Sequence, residues 1–374
     1  MIFSIDGPLV LLICFWTVTL LQLFYYWGIF SRLAFYRPKP RSKSQQHPVS
    51  VVISARDEAF NLNRNLPEVL NQDYSTSHEV IVVNHNSQDD TRFILEEFKK
   101  NHKELQSVNL EQEAKGIYGK KYPLSIGIKE AKYEILLLTD ADCQPASPYW
   151  IKRMQDAYHE ETDIVLGFGS YFKRPGLLNA LIRFETFQTG LQYLSYALAG
   201  LPYMGVGRNL SYKKKLFIDH KGFSFMNHLT GGDDDLFVNK WATAQNTEVV
   251  IHPEAFTYSE PKKTFGHWMR QKNRHYTTAR YYKPLHKFLL SLFHSTQFLY
   301  YPLLISCFLY YDAKLIAGLF AVRFLTQGLI YFLGMRKLGM SDLFPWWGLL
   351  DLWSFFYYWL FIPALFKKPA TQWR

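Results

Sequence analysis

The sequence predicts an α/β domain built on a doubly wound mixed sheet, set between one N-terminal and about three C-terminal transmembrane helices. Three observations carry this expectation. Apolar stretches sit at both ends of the 374-residue chain, short apolar runs alternate with amphipathic ones between residues 48 and 282, and polar, mostly acidic motifs follow those runs. Bulk composition, 48% hydrophobic and 17% aromatic, fits a large soluble domain or a membrane protein equally well, so the distribution has to decide.

From Gly7 to Ser31 no residue carries a formal charge, and an apolar stretch of that length can span a bilayer. It opens at Asp6 and closes on LQLFYYWGIF, without the basic start and small-residue end of a cleaved signal, so residues 1–31 are expected to stay as a membrane helix. The linker 32–47 carries Arg32, Arg37, Lys39, Arg41 and Lys43 against no acid. By the positive-inside tendency the chain after residue 31 is cytoplasmic and the N-terminus lies outside.

Within residues 283–374, apolar segments cover roughly 288–311, 315–335 and 343–366, interrupted by Arg323 and Asp351. Three spans here would return the C-terminus to the outer side, whereas Lys367, Lys368 and Arg374 favour the inside, so one segment is expected to be interfacial or re-entrant. The net charge of +10 flanks these apolar segments, which points to a lipid bilayer rather than nucleic acid as the partner. Cys14, Cys143 and Cys307 are scattered and support neither a disulfide framework nor a thiolate metal site.

Strands are expected at VSVVIS (49–54), EVIVVN (79–84), EILLLTD (134–140) and DIVLGFG (163–169). Helical spacing fills 60–72, 89–103, 120–131 and 148–160, and a β-α alternation of this kind builds an open sheet with helices on both faces. Ligands of such sheets bind beyond the carboxyl ends of the strands. The tract 177–204 reads either as an interfacial helix in the headgroup plane or as a core helix on the sheet.

Polar motifs lie where that rule asks for them: SARDEAFNL after the first strand, NHNSQDDT after the second and TDADCQP after the third. Asp140 and Asp142, two apart, point to one side of an extended chain. Two carboxylates so placed repel unless a cation joins them, and Mg²⁺ or Mn²⁺ takes oxygen ligands while leaving positions for phosphate. A solvated turn is the alternative for such a pair taken alone. Farther on, GGDDDLFVNK (231–240) places three aspartates before a helix, and HWMRQKNRHY spaces Gln271 and Arg274 on one helical face.

In this order the motifs resemble those of a membrane-anchored family 2 glycosyltransferase with the GT-A nucleotide-sugar fold, over about residues 48–282. The resemblance implies that Arg56, Asp57 and Glu58 hold the nucleoside, with Asn84 standing where the family usually carries paired aspartates. Asp140 and Asp142 would bind diphosphate and metal, and Gly207 and Asn209 of GVGRNLSY would line the acceptor side. Asp234 would be the catalytic base with Asp233 its acidic neighbour, while Asp235 solvates or caps the following helix. Gln271 and Arg274 would clamp the donor diphosphate, with His275 in place of the usual Trp. Lys120 of GKKYPL stands where a phosphate-proximal helix start is expected, and reads there as a phosphate contact or as an ordinary exposed lysine.

The implied activity is an inverting transfer of sugar from a nucleotide-diphospho-sugar, a UDP-sugar foremost, to a lipid-linked or glycan acceptor at the inner face of the cell membrane. The catalytic domain would be cytoplasmic and the cofactor Mg²⁺ or Mn²⁺. The alternatives are a non-catalytic membrane scaffold on the same fold, or a transferase with a different nucleotide-activated donor.

Overall fold

The structure, a computed structural model, describes residues 7–38 and 46–365. Asp6, linker residues Lys39, Arg41 and Lys43, and the terminal Lys367, Lys368 and Arg374 lie outside the described residues. The strands, in chain order, are β1 (Val49–Ala55), β2 (His78–His85), β3 (Leu105–Leu110), β4 (Ile135–Leu138), β5 (Cys143–Pro145), β6 (Ile164–Leu166), β7 (Gly169–Tyr171), β8 (Leu210–Lys213), β9 (Thr247–Val249) and β10 (Thr257–Ser259). Seven of them form one sheet in the order β3-β2-β1-β4-β8-β6-β9, and β5-β10-β7 form a small second one.

β1 is buried along its whole length because helices cover both sheet faces, which is why its sequence is a nearly unbroken apolar run. Val52, Ile81 and Leu136 face the layer of Leu124 and Ile128, whereas Val51, Val80 and Leu137 face Leu62, Leu66 and Trp150. β3, β2, β1 and β4 are mutually parallel, but β8 runs antiparallel between β4 and β6, with Leu138 opposite Leu210. That single reversal positions the site. The start of an antiparallel strand lies at the carboxyl end of its parallel neighbours, so the Gly207–Asn209 loop adjoins the Asp140–Asp142 loop.

Three described helices are long and apolar enough to cross a membrane: Gly7–Ala34, Pro284–Tyr310 and Ala313–Lys337. The first two pack antiparallel, as Tyr25 OH donates to Leu289 O at 2.7 Å and Phe15 meets Tyr300 at 5.5 Å between ring centroids. Lys337 Nζ returns to Tyr36 O at 2.6 Å, so the third helix ends beside the start of the soluble domain.

Of the three C-terminal apolar segments, two are among the described helices that meet this length and hydropathy. The remaining apolar segment folds as a turn over Ser341–Trp346 and a helix over Trp347–Leu365. Its Tyr357 and Phe361 pack on Trp268 of the soluble domain, at 5.8 and 6.1 Å, while its Asp351 pairs with Arg323 at 2.7 Å. Hydropathy reports only that this segment is apolar, and its packing joins the membrane helices to the domain.

The Leu177–Leu198 helix is buried over most of its length between the sheet and the membrane helices. Tyr193 OH donates to Gly167 O at 2.6 Å on the sheet side, and Phe187 meets Tyr331 at 5.2 Å on the other. Arg183 forks onto both oxygens of Asp342 at 2.7 Å, fastening this layer to the turn after the third membrane helix.

Candidate active site

The loops after β1 and β2 are built together. Asp57, in a left-handed conformation (φ 55°), accepts from Gln88 N at 2.7 Å, Ser87 Oγ accepts from Asp57 N, and Asp89 accepts from Ala59 N. Arg56 pairs with Glu113 at 2.7 Å, and Asn84 is buried at the end of β2, where its Nδ2 donates to Asn109 Oδ1 at 2.9 Å. Glu58 begins the Ala59–Leu70 helix and bonds Asn61. Burial, opposed by Asn61 and reinforced by Asp142 and Asp140, pushes its carboxyl up to about 7, so this residue belongs electrostatically with the acid pair after β4.

The ligand atoms of Asp140, Asp142 and Cys143 lie within 4.8 Å of one another. Cys143 lies 3.2 Å from Ser259 Oγ, and burial pushes its thiol well up, so it stays protonated and offers a hard cation nothing. The two carboxylates are the oxygen set a Mg²⁺ or Mn²⁺ ion requires. They differ in environment. Burial raises Asp140, but Lys120, then Arg208 and Arg274, outweigh it and hold the group below its ordinary value, whereas burial and Asp140 itself raise Asp142. A cleft of about 410 Å³ opens beside Asp142, lined by Asn61, Glu260, Lys262, Thr264 and His267.

Lys120 is the centre of the arrangement. Its Nζ lies 2.7 Å from Asp140 Oδ1 and 3.3 Å from Asp233 Oδ2, bridging two motifs more than ninety residues apart. Gly119 makes this approach possible: at φ +73° a Cβ there would stand 2.0 Å from Thr230 O. Lys121, fully buried, donates to Leu229 O and Gly231 O and holds the loop that precedes the three aspartates.

Within that run the roles separate. Asp234 Oδ2 accepts from Gly207 N at 2.7 Å, and its Oδ1 accepts from Asp235 N at 2.8 Å. Burial first, then Asp233 and Asp235, push its carboxyl up to about 7, while Lys120 and the Gly207 N–H pull the other way. A carboxyl near 7, partly accessible, is suited to take a proton at neutral pH. Asp235 is buried rather than solvated, which corrects the expectation for it: its Oδ2 accepts from Thr278 Oγ1 and Tyr282 OH.

Asn209 also departs from expectation. It is fully buried, accepting from Trp150 Nε1 at 3.0 Å and donating to Phe168 O and Ala255 O at 3.0 and 2.7 Å, so it braces the sheet and cannot line an acceptor site. Its neighbour Arg208, which spacing alone did not single out, stands 4.5 Å over the Tyr171 ring and turns its field on Asp140 and Asp142. Gln271 Nε2 donates to Tyr171 OH at 3.2 Å, which brings the clamp motif onto the same aromatic ring, and Arg274 is exposed and acts on Asp140. Arg208 could have been found by asking which cations must offset so many clustered acids, and Lys120, read from the sequence as a phosphate contact or an exposed lysine, pairs with those acids instead.

Residues 50–227 match the family model described as glycosyl transferase family 2. This chain carries a family 2 glycosyltransferase domain. Among curated relatives, glycosyltransferase AglE of Haloferax volcanii is 26% identical over 231 residues, covering 60% of this chain and 71% of its own length. Probable glycosyltransferase YdaM of Bacillus subtilis is 28% identical over 284 residues, covering 69% of this chain and 62% of its own. The fold of this glycosyltransferase is similar to that of mannosyltransferase PcManGT from Pyrobaculum calidifontis, solved in complex with GDP-Man and Mn²⁺ (TM-score 0.58, 19% identity, 93% of this chain and 98% of the other). The sheet reversed at β8 is thus a GT-A sheet.

Proposed function

We propose that this glycosyltransferase transfers a sugar from a UDP- or GDP-sugar to a lipid-linked or glycan acceptor at the inner face of the cell membrane, with inversion at the anomeric carbon. The observation that carries the reading is the sharing of Lys120 between Asp140 and Asp233, at 2.7 and 3.3 Å, which assembles a diphosphate site and a base site around one cation. The sequence favours uridine, and the GDP-Man complex of PcManGT makes guanosine the second arm.

Asp140 and Asp142 would hold Mg²⁺ or Mn²⁺, which offsets charge on a departing diphosphate. Arg274, Gln271 and Arg208 bind the same leaving group from the clamp side, where a guanidinium keeps its charge at any working pH. Asp234 accepts the proton of the acceptor hydroxyl as that oxygen forms its bond to C1 and the C1–diphosphate bond breaks. Transfer in one displacement inverts the centre. Arg56, Asp57, Glu58 and Asn84 read the nucleoside side, and Gly207, which presents its N–H to Asp234, borders the acceptor side.

In this reading three spans cross the membrane with the N-terminus outside and the domain inside, the orientation that Arg32 and Arg37 after the first helix favour. That topology is supported by the Lys337–Tyr36 and Arg183–Asp342 contacts on the domain side, and by the approach of Cys307 to Leu11 at the opposite end. The test is mass analysis of lipid extracts from cells expressing the wild-type chain or Asp234→Asn. The reading expects a product one sugar heavier, of inverted configuration, with the wild type only. No product difference in lipid or glycan fractions contradicts it.

A further inference from the structure

We propose that Asp235 is the positioning residue of this transferase, fastening the base Asp234 to the membrane-approach segment Thr277–His286 so that base and donor clamp move as one unit. The inference rests on the reading of Asp234 as the base. Asp235 opens the Asp235–Trp241 helix and is only 8% exposed. A carboxylate so placed costs free energy unless its oxygens are met. Oδ1 accepts from Leu236 N at 2.8 Å, and Oδ2 accepts from Thr278 Oγ1 at 2.5 Å and Tyr282 OH at 2.7 Å. The cap of this helix is Asp234, whose Oδ1 accepts from Asp235 N, so capping accounts for neither hydroxyl on Asp235. The two hydroxyls come from a segment more than forty residues away, so they define an attachment.

One helical turn later the attachment repeats. Asn239 Oδ1 accepts from Lys283 N at 2.8 Å, and its Nδ2 donates to Tyr203 O at 2.7 Å and lies 3.0 Å from His286 Nδ1. Residues four apart share a helix face, so this face is riveted to the segment at both ends. The segment leaves the Phe265–Tyr276 helix, which bears Gln271 and Arg274, and leads into the Pro284–Tyr310 membrane helix. Thr277 Oγ1 ties back to Arg274 O at 2.7 Å. Clamp, base and membrane helix therefore meet at Asp235, and a shift of the segment moves the base relative to Gly207, its partner across the site.

The groups facing Asp234 are Asp233 and Asp235 on its own segment, Lys120 and Lys121 from the start of the Lys121–Glu130 helix, Tyr212 of β8 and Tyr282 of the approach segment. Removing the Asp235 charge takes away one of the two acids that hold Asp234 up, so the proton-accepting step should begin at lower pH. A residue that only stabilises the fold would not move that limb.

The experiment compares full-length, detergent-solubilised wild type, Asp234→Asn, Asp235→Asn, Thr278→Val, Thr278→Ser and Tyr282→Phe for kcat, donor KM and the pH profile of kcat/KM. Expected are a fall in kcat of about 100-fold for Asp235→Asn, the scale of a small misplacement of a catalytic group, and an acid limb shifted to lower pH, with donor KM unchanged. Thr278→Val and Tyr282→Phe should lose kcat while keeping donor KM, and Thr278→Ser should restore it. Should Asp235→Asn fail to fold, the hydroxyl variants decide, and wild-type kcat in both overturns the proposal. Wild-type kcat and pH profile in Asp235→Asn, with Asp234→Asn inactive, overturns it while leaving the base assignment standing. Full activity in Asp234→Asn overturns the base assignment itself.

Discussion

The ammonium of Lys120 lies 2.7 Å from Asp140 and answers at the same time to Asp233, 3.3 Å away. One cation thereby neutralises part of both acidic motifs. Lys120→Met should remove the cation that lowers both Asp140 and Asp234, and both carboxyls should rise. Transfer is expected to fall by about 100-fold, the cost of removing one preorganised charge from a reacting site. The acid limb of kcat/KM should move to higher pH, opposite to the shift expected for Asp235→Asn, and a pH series of nucleotide release reads both.

As the proposed base, Asp234 should set the pH dependence of the unmodified chain. With its carboxyl pushed up to about 7, activity should climb as pH rises through that value, because only the ionised form takes a proton. The linkage to stability has the reverse sense. An acid whose folded value lies above its ordinary value of about 4 contributes stability that is present below that value and lost as pH rises towards 7. Asp234→Asn should therefore abolish transfer, leave nucleotide binding intact and melt higher relative to wild type at about pH 8 than at about pH 5. Thermal unfolding of both proteins at the two values measures it.

Adjacent residues of the GVGRNL stretch should fail in different ways. A Cβ on Gly207 would stand 3.1 Å from Lys120 Nζ and 3.2 Å from Asp234 Oδ2, so Gly207→Ala should cut the rate while the fold and nucleotide affinity persist. Asn209→Ala strands Trp150 Nε1 and Ala255 O in the interior, each an unmet group worth about 1–3 kcal/mol, while Phe168 O keeps the Thr257 N–H. It should lower the melting temperature sharply. Parallel melting and kinetic measurements on the two variants separate the effects.

Arg323 and Asp351, the charges that interrupt two apolar segments, are a buried pair at 2.7 Å, completed by Gln22, Gln327 and Tyr301. Removing either partner leaves an unmet charge and should destabilise by about 3–5 kcal/mol, whereas replacing both with apolar side chains should recover most of the loss. Unfolding of Arg323→Met, Asp351→Leu and the double variant in detergent tests this, with additivity as the contrary result.

Much of this was legible in the sequence because local spacing carried it. β4 is an unbroken apolar run and β1 and β2 have apolar centres, and the Asp140–Asp142 and Asp233–Asp234 pairs are read from adjacency alone. What escaped depends on partners distant in the chain. β3 has mixed polarity because it is an edge strand, half-buried beside β2, and the three- and four-residue strands β8, β9 and β10 are too short to show a period. Asn209 reads as a ligand-binding residue until Trp150 is seen to occupy it, and Asp235 reads as a cap until Tyr282 is seen to bond it. The last apolar segment could be recognised as apolar, but only its packing on Trp268 shows how it runs.

Activation of a nucleotide-sugar donor by the paired aspartates after β4, with a divalent cation, is the core of the proposed function. Its most direct test is nucleoside diphosphate release by the detergent-solubilised chain across a panel of UDP- and GDP-sugars, with Mn²⁺ and with a chelator, beside Asp142→Ala. Release is expected from at least one donor, dependent on the metal and lost in the variant. Absence of metal-dependent release from every donor, or undiminished release by Asp142→Ala, would contradict it.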